Sequence, residues 1–370
     1  MSTKKAPPRT VLMAGPFPEP ITGNALANEI VQKALLEEGH KVRTINTSLK
    51  NFGEDVGHFT FSKLWHNVKL AVQAHKIIGV DVVYITPGQT FFGVLKYGIF
   101  LITASLLNKR IVLHIHGNHL GVMYTSLSGL KKRIVHTLLS KATQGIVLSD
   151  SLKGNLTPFM TSEHIASLPN FAQPYLVDTT RPVHHSSLRI VYLSNLMTEK
   201  GIFDLLDALL LLEEQGVQYE AKIAGGIDHT IQNQINTKLE GLKNTTCVGI
   251  VSGEAKKELL QWSSIFVLPT YYTMEGQPIA ILEAMATKNV IITTPHAGIP
   301  DIITDGEHGF FVKPKNPKSI ANQLVELSKT PDTIQKIATR NEIYFSENFT
   351  LEIFKDRLFT ILFNPKKSVS

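Results

Sequence analysis

Short β-branched runs alternate with longer amphipathic stretches along almost the whole of this chain. That alternation restricts the fold more than any single residue does. In the first half the runs are Arg9–Ala14, Val42–Asn46, Asp81–Thr86, Ile111–Ile115 and Gly145–Leu148, and the stretches between them include Asn24–Glu38 and Ser128–Lys141. A strand buried on both faces reads as a continuous apolar run, and parallel neighbours need a crossover helix between them. The pattern predicts an α/β fold of doubly wound parallel sheets.

The rhythm breaks at Ala172–Ser187, which holds Pro174, Pro182 and the pair His184–His185 without apolar periodicity, as a linker does. It then resumes. Leu188–Leu193, Ala221–Ala224, Ile265–Leu268, Val290–Thr293 and Phe310–Val312 read as strands, with Ile202–Glu214 and Pro278–Thr287 among the helices. A length of 370 residues suits two domains. The expected order is a Rossmann-like domain over 1–171, a linker over 172–187, a second Rossmann-like domain over 188–345, and a helix (Ser346–Phe363) with its tail over 346–370. Two such domains facing each other leave a cleft at their strand C-termini, where ligands bind in doubly wound sheets.

Charge and cysteine content narrow the partners. The net charge of +6 suits an anionic partner: a nucleotide diphosphate, an anionic membrane surface or nucleic acid. The single Cys247 rules out an intramolecular disulfide and a thiolate metal cage. Met1–Thr10 is polar and basic, unlike a secretory signal, so the Asn-x-Ser/Thr triplets at Asn46, Asn155, Asn244 and Asn348 carry no weight. The longest apolar stretch, Ile99–Leu107, is too short to span a bilayer and reads as a buried helix. A cytoplasmic enzyme is expected, with contact at the inner face of the plasma membrane left open. His58–Ile78 bears on that contact. Leu64, Val68 and Val72 recur there at helical spacing beside Phe61 and Trp65, with Lys63, His66 and Lys69 between. Such a stripe packs on a sheet or lies in a bilayer interface.

Four segments could carry chemistry. Thr273–Ala286, TMEGQPIAILEAMA, follows a strand. Pro278 suits the first helical position, where its missing N–H would be unpaired anyway. Ile279, Leu282 and Ala286 then share a face, with Glu283 at its edge. A carboxylate in that setting needs a ligand hydroxyl or an internal cation. Glu275 stands in the loop before the helix, whose free amides favour a phosphate, although a glutamate there is also an ordinary cap. Leu193–Gly201, LSNLMTEKG, places Lys200 in a strand-to-helix turn, either against a diphosphate or merely at the surface. Gly15–Asn24, GPFPEPITGN, is the first βα loop. It lacks G-x-G-x-x-G, and no P-loop occurs in the chain. His114 and His116 of HIHG share a strand face; with His119 they suggest zinc, but no carboxylate or cysteine lies close in sequence to complete the set. A single histidine lining the cleft is the plainer reading, and no Asp-x-Asp pair offers a metal anchor.

At these residues the chain resembles the retaining glycosyltransferases of the group-1 (family-four) type, which have the GT-B fold. EGQPIAILEAMA is similar to the family's Glu-x(7)-Glu motif, TPHAGIPDIITDGEHGFFV to the stretch after it, and LSNLMTEKG to its Gly-Arg-Leu-x-x-x-Lys-Gly. HIHG, VLSDSL, LPNF and, more weakly, Gly15–Gly23 extend the likeness over most of the chain. The resemblance implies catalytic roles for Glu275 at the transferred sugar, Lys200 at the diphosphate and His116 near the reacting sugar. It implies donor contacts from Gly23, Gly201, the amides of Gly276 and Gln277, and Glu283 at the ribose. Asn195 stands where the family has an arginine beside the diphosphate, which removes one fixed cation.

The implied reaction is metal-independent transfer, with retention, from a UDP- or GDP-linked sugar to a saccharide or lipid-linked acceptor. Surface polysaccharide or lipopolysaccharide synthesis is the implied setting. No cofactor and no nucleic-acid partner are expected. The alternatives are a sugar-nucleotide epimerase on the same fold and a non-catalytic relative that scaffolds a partner.

Overall fold

The computed structural model describes residues 7–19, 22–48, 69–177 and 188–363. It divides into two compact units, one of Met1–Leu168 with Lys355–Ser370, the other of Pro169–Phe354.

The first unit holds one six-stranded parallel sheet: β1 Thr10–Gly15, β2 Lys41–Asn46, β3 Val82–Ile85, β4 Arg110–Ile115, β5 Gln144–Val147 and β6 Ile165–Ser167, in the order β2-β1-β3-β4-β5-β6. The second holds β7 Leu188–Leu193, β8 Tyr219–Ala224, β9 Thr245–Gly249, β10 Ile265–Leu268, β11 Val290–Thr293 and β12 Gly309–Phe311, ordered β12-β11-β10-β7-β8-β9. Strands β3, β5, β10 and β11 are buried at every residue, and for β3, β10 and β11 this shows in the sequence as nearly unbroken apolar runs. In each sheet the chain builds outward on one side and then returns to the other. The reversal falls between β1 and β3 in the first sheet and between β7 and β10 in the second. Loops leaving the C-terminal ends of strands at such a point open a crevice.

Several boundaries differ from those read in the sequence. Of the expected linker, Ala172 and Leu176 are buried in the core of the second unit, and 178–187 lie outside the described residues. The helix expected over Ser346–Phe363 is two: Pro331–Asn348 ends at Phe349, and Leu351–Phe363 follows. That last helix starts in the second unit and finishes in the first, where the guanidinium of Arg110 donates to the carbonyl of Ile361 at 2.7 Å and His40 meets the Phe363 ring at 4.5 Å. In the expected amphipathic helix over His58–Ile78, residues 58–68 lie outside the described ones. The described remainder turns Leu70, Ala74 and Ile77 inward and leaves Val72 exposed. Ile99–Leu107 does form a helix, Gly98–Leu106, but only one of its faces is buried: Phe100, Leu101 and Ala104 face in, while Ile99, Ile102 and Leu106 face out. Among the described residues, no helix is long and apolar enough to cross a membrane.

Candidate functional site

In the second unit the turn after β7 and the loop after β10 meet at the reversal point. The turn is the 3-10 helix Thr198–Lys200. Tyr271 N–H donates to the carbonyl of Glu199 at 2.8 Å, and Thr270 Oγ1 reaches the same oxygen at 3.4 Å. Gly201 permits this approach. Its φ is +77°, and a Cβ there would fall 2.4 Å from the carbonyl oxygen of Pro269. Any side chain would meet both backbone strain and a backbone clash.

The two loops bring Lys200 and Glu275 together, with Nζ 2.5 Å from Oε2. Both side chains are nearly buried, and the ammonium also lies 5.1 Å from the centre of the Tyr272 ring. Burial and the Glu275 carboxylate raise the pKa of Tyr272. The loop itself is fastened at many points. Glu275 N–H donates to the carbonyl of Tyr272, His296 Nε2 meets that same oxygen at 2.8 Å, and the amide of Gly298 donates to the carbonyl of Gly276 at 2.9 Å. Thr294 Oγ1 donates to the carbonyl of Thr270. A loop tied this closely holds its carboxylate in place before any ligand arrives.

Gln277 has a structural duty. Its Oε1 accepts from the amide of Asn170 at 2.7 Å, and its carbonyl accepts from Asn170 Nδ2 at 2.8 Å. The LPNF segment is thereby joined to the glutamate loop, and the side chain of Gln277 is committed to that joint. The helix that follows is Ile279–Ala286, one residue shorter at each end than the sequence suggested, with Pro278 as its cap. It is buried on nearly all sides from Ile281 onward, so Glu283 sits inside rather than on an edge.

Lys256, which the sequence did not single out, meets that carboxylate: Nζ lies 2.5 Å from Glu283 Oε1. It comes from the helix Gly253–Trp262, and its ammonium lies 5.8 Å from the centre of the Tyr175 ring. Burial alone would lower the pKa of Lys256, and the adjacent carboxylate outweighs that, leaving it above the usual lysine value. Glu283 thus has the internal cation that was one of its two sequence readings. The hydrogen bonds of the described residues engage Oε1 only. Each glutamate of the pair therefore carries its own lysine, Lys200 for Glu275 and Lys256 for Glu283.

Asn195 is exposed just beyond β7, and its carbonyl accepts from Tyr192 Oη at 3.1 Å. Beside it Gly225 has φ +144° and passes so close to the carbonyl of Ser194 that a Cβ would sit 1.8 Å from that oxygen. Ile250 reaches over Gly226 as an exposed apolar residue. Nothing in the run Gly225–Gly226 or in SGEAKKELLQW told these positions apart beforehand, because glycines and helix-surface lysines are common.

In the first unit His116 follows β4. Its Nε2 is buried without a partner among the described residues, and its ring lies tilted beside that of His114, with centres 4.0 Å apart. His114 Nδ1 meets Tyr84 Oη at 2.5 Å. Burial lowers the pKa of His116 to about 4; burial and then the neighbouring His116 hold that of His114 well below the usual histidine value. Both imidazoles are neutral at pH 7. The zinc reading is not supported: no three His, Cys, Asp or Glu side chains among the described residues are grouped to hold a metal. Gly23 is the exposed first residue of the helix Gly23–Glu37, whose cap Thr22 accepts from the amide of Ala25 at 3.1 Å. Residues 20 and 21 of that loop lie outside the described ones. The residues named from the sequence thus form two sets. Lys200, Gly201, Asn195, Glu275, Gly276, Gln277 and Glu283 lie in the second unit, His116 and Gly23 in the first.

Two doubly wound units, one with a cation–carboxylate loop pair at its reversal point, define a two-unit α/β class. Residues 181–342 match the family described as "Glycosyl transferases group 1". Among curated proteins the chain is 27% identical over 200 residues to the putative colanic acid biosynthesis glycosyltransferase WcaL of Salmonella typhimurium, which covers 50% of this chain and 49% of that one. The chain thus spans about half the length of that relative. Two solved structures have the same fold. A glycosyltransferase from Rickettsia africae has a TM-score of 0.77 at 17% identity, covering 98% of this chain and 100% of the other. Anabaena Alr3699/HepE in complex with UDP-glucose has a TM-score of 0.71 at 15% identity, covering 95% and 98%. Residues 181–342 are thus similar to the group-1 glycosyltransferases, and the two units have the fold of these solved glycosyltransferases, GT-B.

Proposed function

We propose that the protein transfers a sugar from a nucleotide-sugar donor, UDP-linked by preference, to a saccharide or lipid-linked acceptor in polysaccharide synthesis, with retention at the anomeric carbon and in the cytoplasm. The observation that carries this reading is the paired arrangement of Lys200 with Glu275 and of Lys256 with Glu283 on one fastened loop and helix. The name of the Anabaena structure supports the UDP-sugar, and that of the Salmonella relative supports polysaccharide synthesis.

In this reading the diphosphate lies at the start of the helix Ile279–Ala286, facing the amides of Gly276 and Gln277. A lysine ammonium has three N–H donors, so Lys200 keeps one on Glu275 and turns the others to the phosphate. As the glycosidic bond to the phosphate breaks, negative charge grows on that oxygen, and Lys200 with the helix N-terminus stabilises it. The acceptor hydroxyl attacks the anomeric carbon from the face the phosphate leaves and passes its proton to the departing phosphate oxygen. Glu275 holds hydroxyls of the transferred sugar. Glu283, through the oxygen that Lys256 leaves open, takes a ribose hydroxyl. His116, neutral at pH 7, offers a hydrogen bond rather than a charge. Asn195 donates an amide N–H where an arginine would place a cation. These groups answer the diphosphate charge without a metal.

The test is a thermal-shift panel of UDP-, GDP- and dTDP-sugars, followed by transfer assays in excess chelator with the product anomer read by NMR. A UDP-sugar should raise the melting temperature by mass action, and the product should keep the donor's anomeric configuration. No shift with any nucleotide sugar, an inverted product, or an epimer formed from donor alone would end the proposal.

A further inference from the structure

Tyr84 of β3 and His114 of β4 put a hydroxyl and an imidazole inside the core of the first sheet, at 1% and 0% exposure. Tyr84 pairs across the strands with Val112, so His114 is its diagonal neighbour on the same face. Tyr84 Oη lies 2.5 Å from His114 Nδ1, and the two rings meet edge to face. His116, two residues on, sets its ring against that of His114 at a tilt of 33°. The order in space is Tyr84, His114, His116.

The tautomer of His114 follows from its partner. Tyr84 stays protonated, since burial raises its pKa. Among the described residues its hydroxyl has one hydrogen-bond partner, His114 Nδ1. A buried O–H without an acceptor is costly, so Oη donates and Nδ1 accepts. The one proton of the neutral His114 ring is then on Nε2. That Nε2 and the Nε2 of His116 are both buried without a partner among the described residues. The two imidazoles therefore touch by packing and share no hydrogen bond. Two apolar side chains of the same shape would fill this space at little or no loss of stability. What the polar pair adds is direction: a ring bonded at Nδ1 cannot turn about χ2 without breaking that bond. The surface against which His116 rests is held in one orientation.

We infer that Tyr84 and His114 are positioning residues for His116: the Tyr84 hydroxyl locks the ring and tautomer of His114, and the locked ring orients that of His116. The inference rests on the role proposed above for His116 at the reacting sugar. A neutral imidazole in that role acts through a single hydrogen bond. Such a bond weakens steeply with angle, so a His116 ring free to turn would lose much of its effect.

The test has two arms. The first is nitrogen NMR of the full chain with labelled histidine, which needs no donor; His114→Phe and His116→Asn supply the assignments. His114 should show a proton on Nε2 and an accepting Nδ1. Tyr84→Phe should abolish that pattern and shift the ring signals of His116. The second arm is turnover of the UDP-sugar that gives the largest shift in the thermal panel. Tyr84→Phe should lower kcat about tenfold and leave KM within about twofold, as expected when orientation in the transition state is lost. In a His116→Asn background the same change should cost nothing further, because Tyr84 acts only through His116. Tyr84→Phe with His114→Phe should melt close to the wild type and still turn over slowly, which keeps the inference testable should Tyr84→Phe alone fold poorly. The inference is overturned if His114 carries its proton on Nδ1, or if Tyr84→Phe leaves kcat and the His116 signals unchanged. It is equally overturned if the losses from Tyr84→Phe and His116→Asn multiply, or if the double phenylalanine variant recovers wild-type turnover, since the pair would then serve packing alone. Wild-type turnover in His116→Asn is a separate result: it would remove the role of His116 from the proposed function, and this inference with it.

Discussion

Replacing Lys256 by methionine removes the cation and keeps most of the aliphatic stem, so the variant isolates the charge. Glu283 is then left at 5% exposure with no counter-ion. Breaking a buried ion pair by removing one member costs about 3–5 kcal/mol, because the remaining charge stays desolvated. Lys256 keeps 14% exposure and the site has a route to water, so about 3 kcal/mol is the expected loss. For a unit the size of Pro169–Phe354 that corresponds to about 6–12 °C in the melting temperature of its transition. Adding Glu283→Leu removes the orphaned carboxylate and should return most of the loss, leaving the double variant within about 1 kcal/mol of the wild type. The assay is a double-mutant cycle by denaturant unfolding of the four proteins. Losses that simply add, or a Lys256→Met variant within about 0.5 kcal/mol of the wild type, would refute the view that this pair is a buried, mutually dependent unit.

Other outcomes follow from the same geometry. Lys200→Ala should lower turnover about 100-fold or more at saturating donor, a loss typical of one group that meets transition-state charge, and steady-state kinetics will show whether it does. Asn195→Arg should tighten donor binding roughly tenfold or less and make it steeper in salt; calorimetry across a salt series checks this, and a flat response would place the new guanidinium away from the phosphates. His116 has a folded pKa of about 4 against the ordinary value of 6.5, so between those values the unfolded chain binds a proton that the folded one refuses. Stability of the first unit should therefore fall as pH drops from 6.5 to 4, by up to about 3 kcal/mol from this group, and His116→Asn should flatten that slope in unfolding measured against pH. An unchanged slope would mean the imidazole is hydrated.

The strands most legible in the sequence are those buried on both faces, although the edge runs Val42–Asn46 and Phe310–Val312 were also read. Val82–Ile85, Ile265–Leu268 and Val290–Thr293 are apolar at nearly every residue because helices cover both sides of them. The two it missed, Ile165–Ser167 and Thr245–Gly249, are sheet edges. The first has three residues, and no residue of the second is fully buried, so neither leaves a continuous run. Gly98–Leu106 was misjudged for the opposite reason: a helix apolar all round reads as buried, and composition does not say that half of it faces out. Within the site, Lys200, Glu275 and Glu283 stood in recognisable segments. Lys256 did not, because its partner lies 27 residues away and only the packing of one helix against another brings them together.

The second unit lies entirely between two pieces of the first in chain order, with Lys355–Phe363 returning to it after Phe354. Contacts such as Arg110 to Ile361 close a loop of 251 residues. Consider a ribosome making this protein. By the time the last helix emerges, Pro169–Phe354 has been synthesised in one continuous piece and has every partner it needs. The six strands of the first sheet were made earlier, yet His40 and Arg110 must wait for Phe363 and Ile361. Although its residues appear first, the first unit is the last to be completed, and until then the Arg110 guanidinium lacks its Ile361 carbonyl and the His40 ring lacks Phe363.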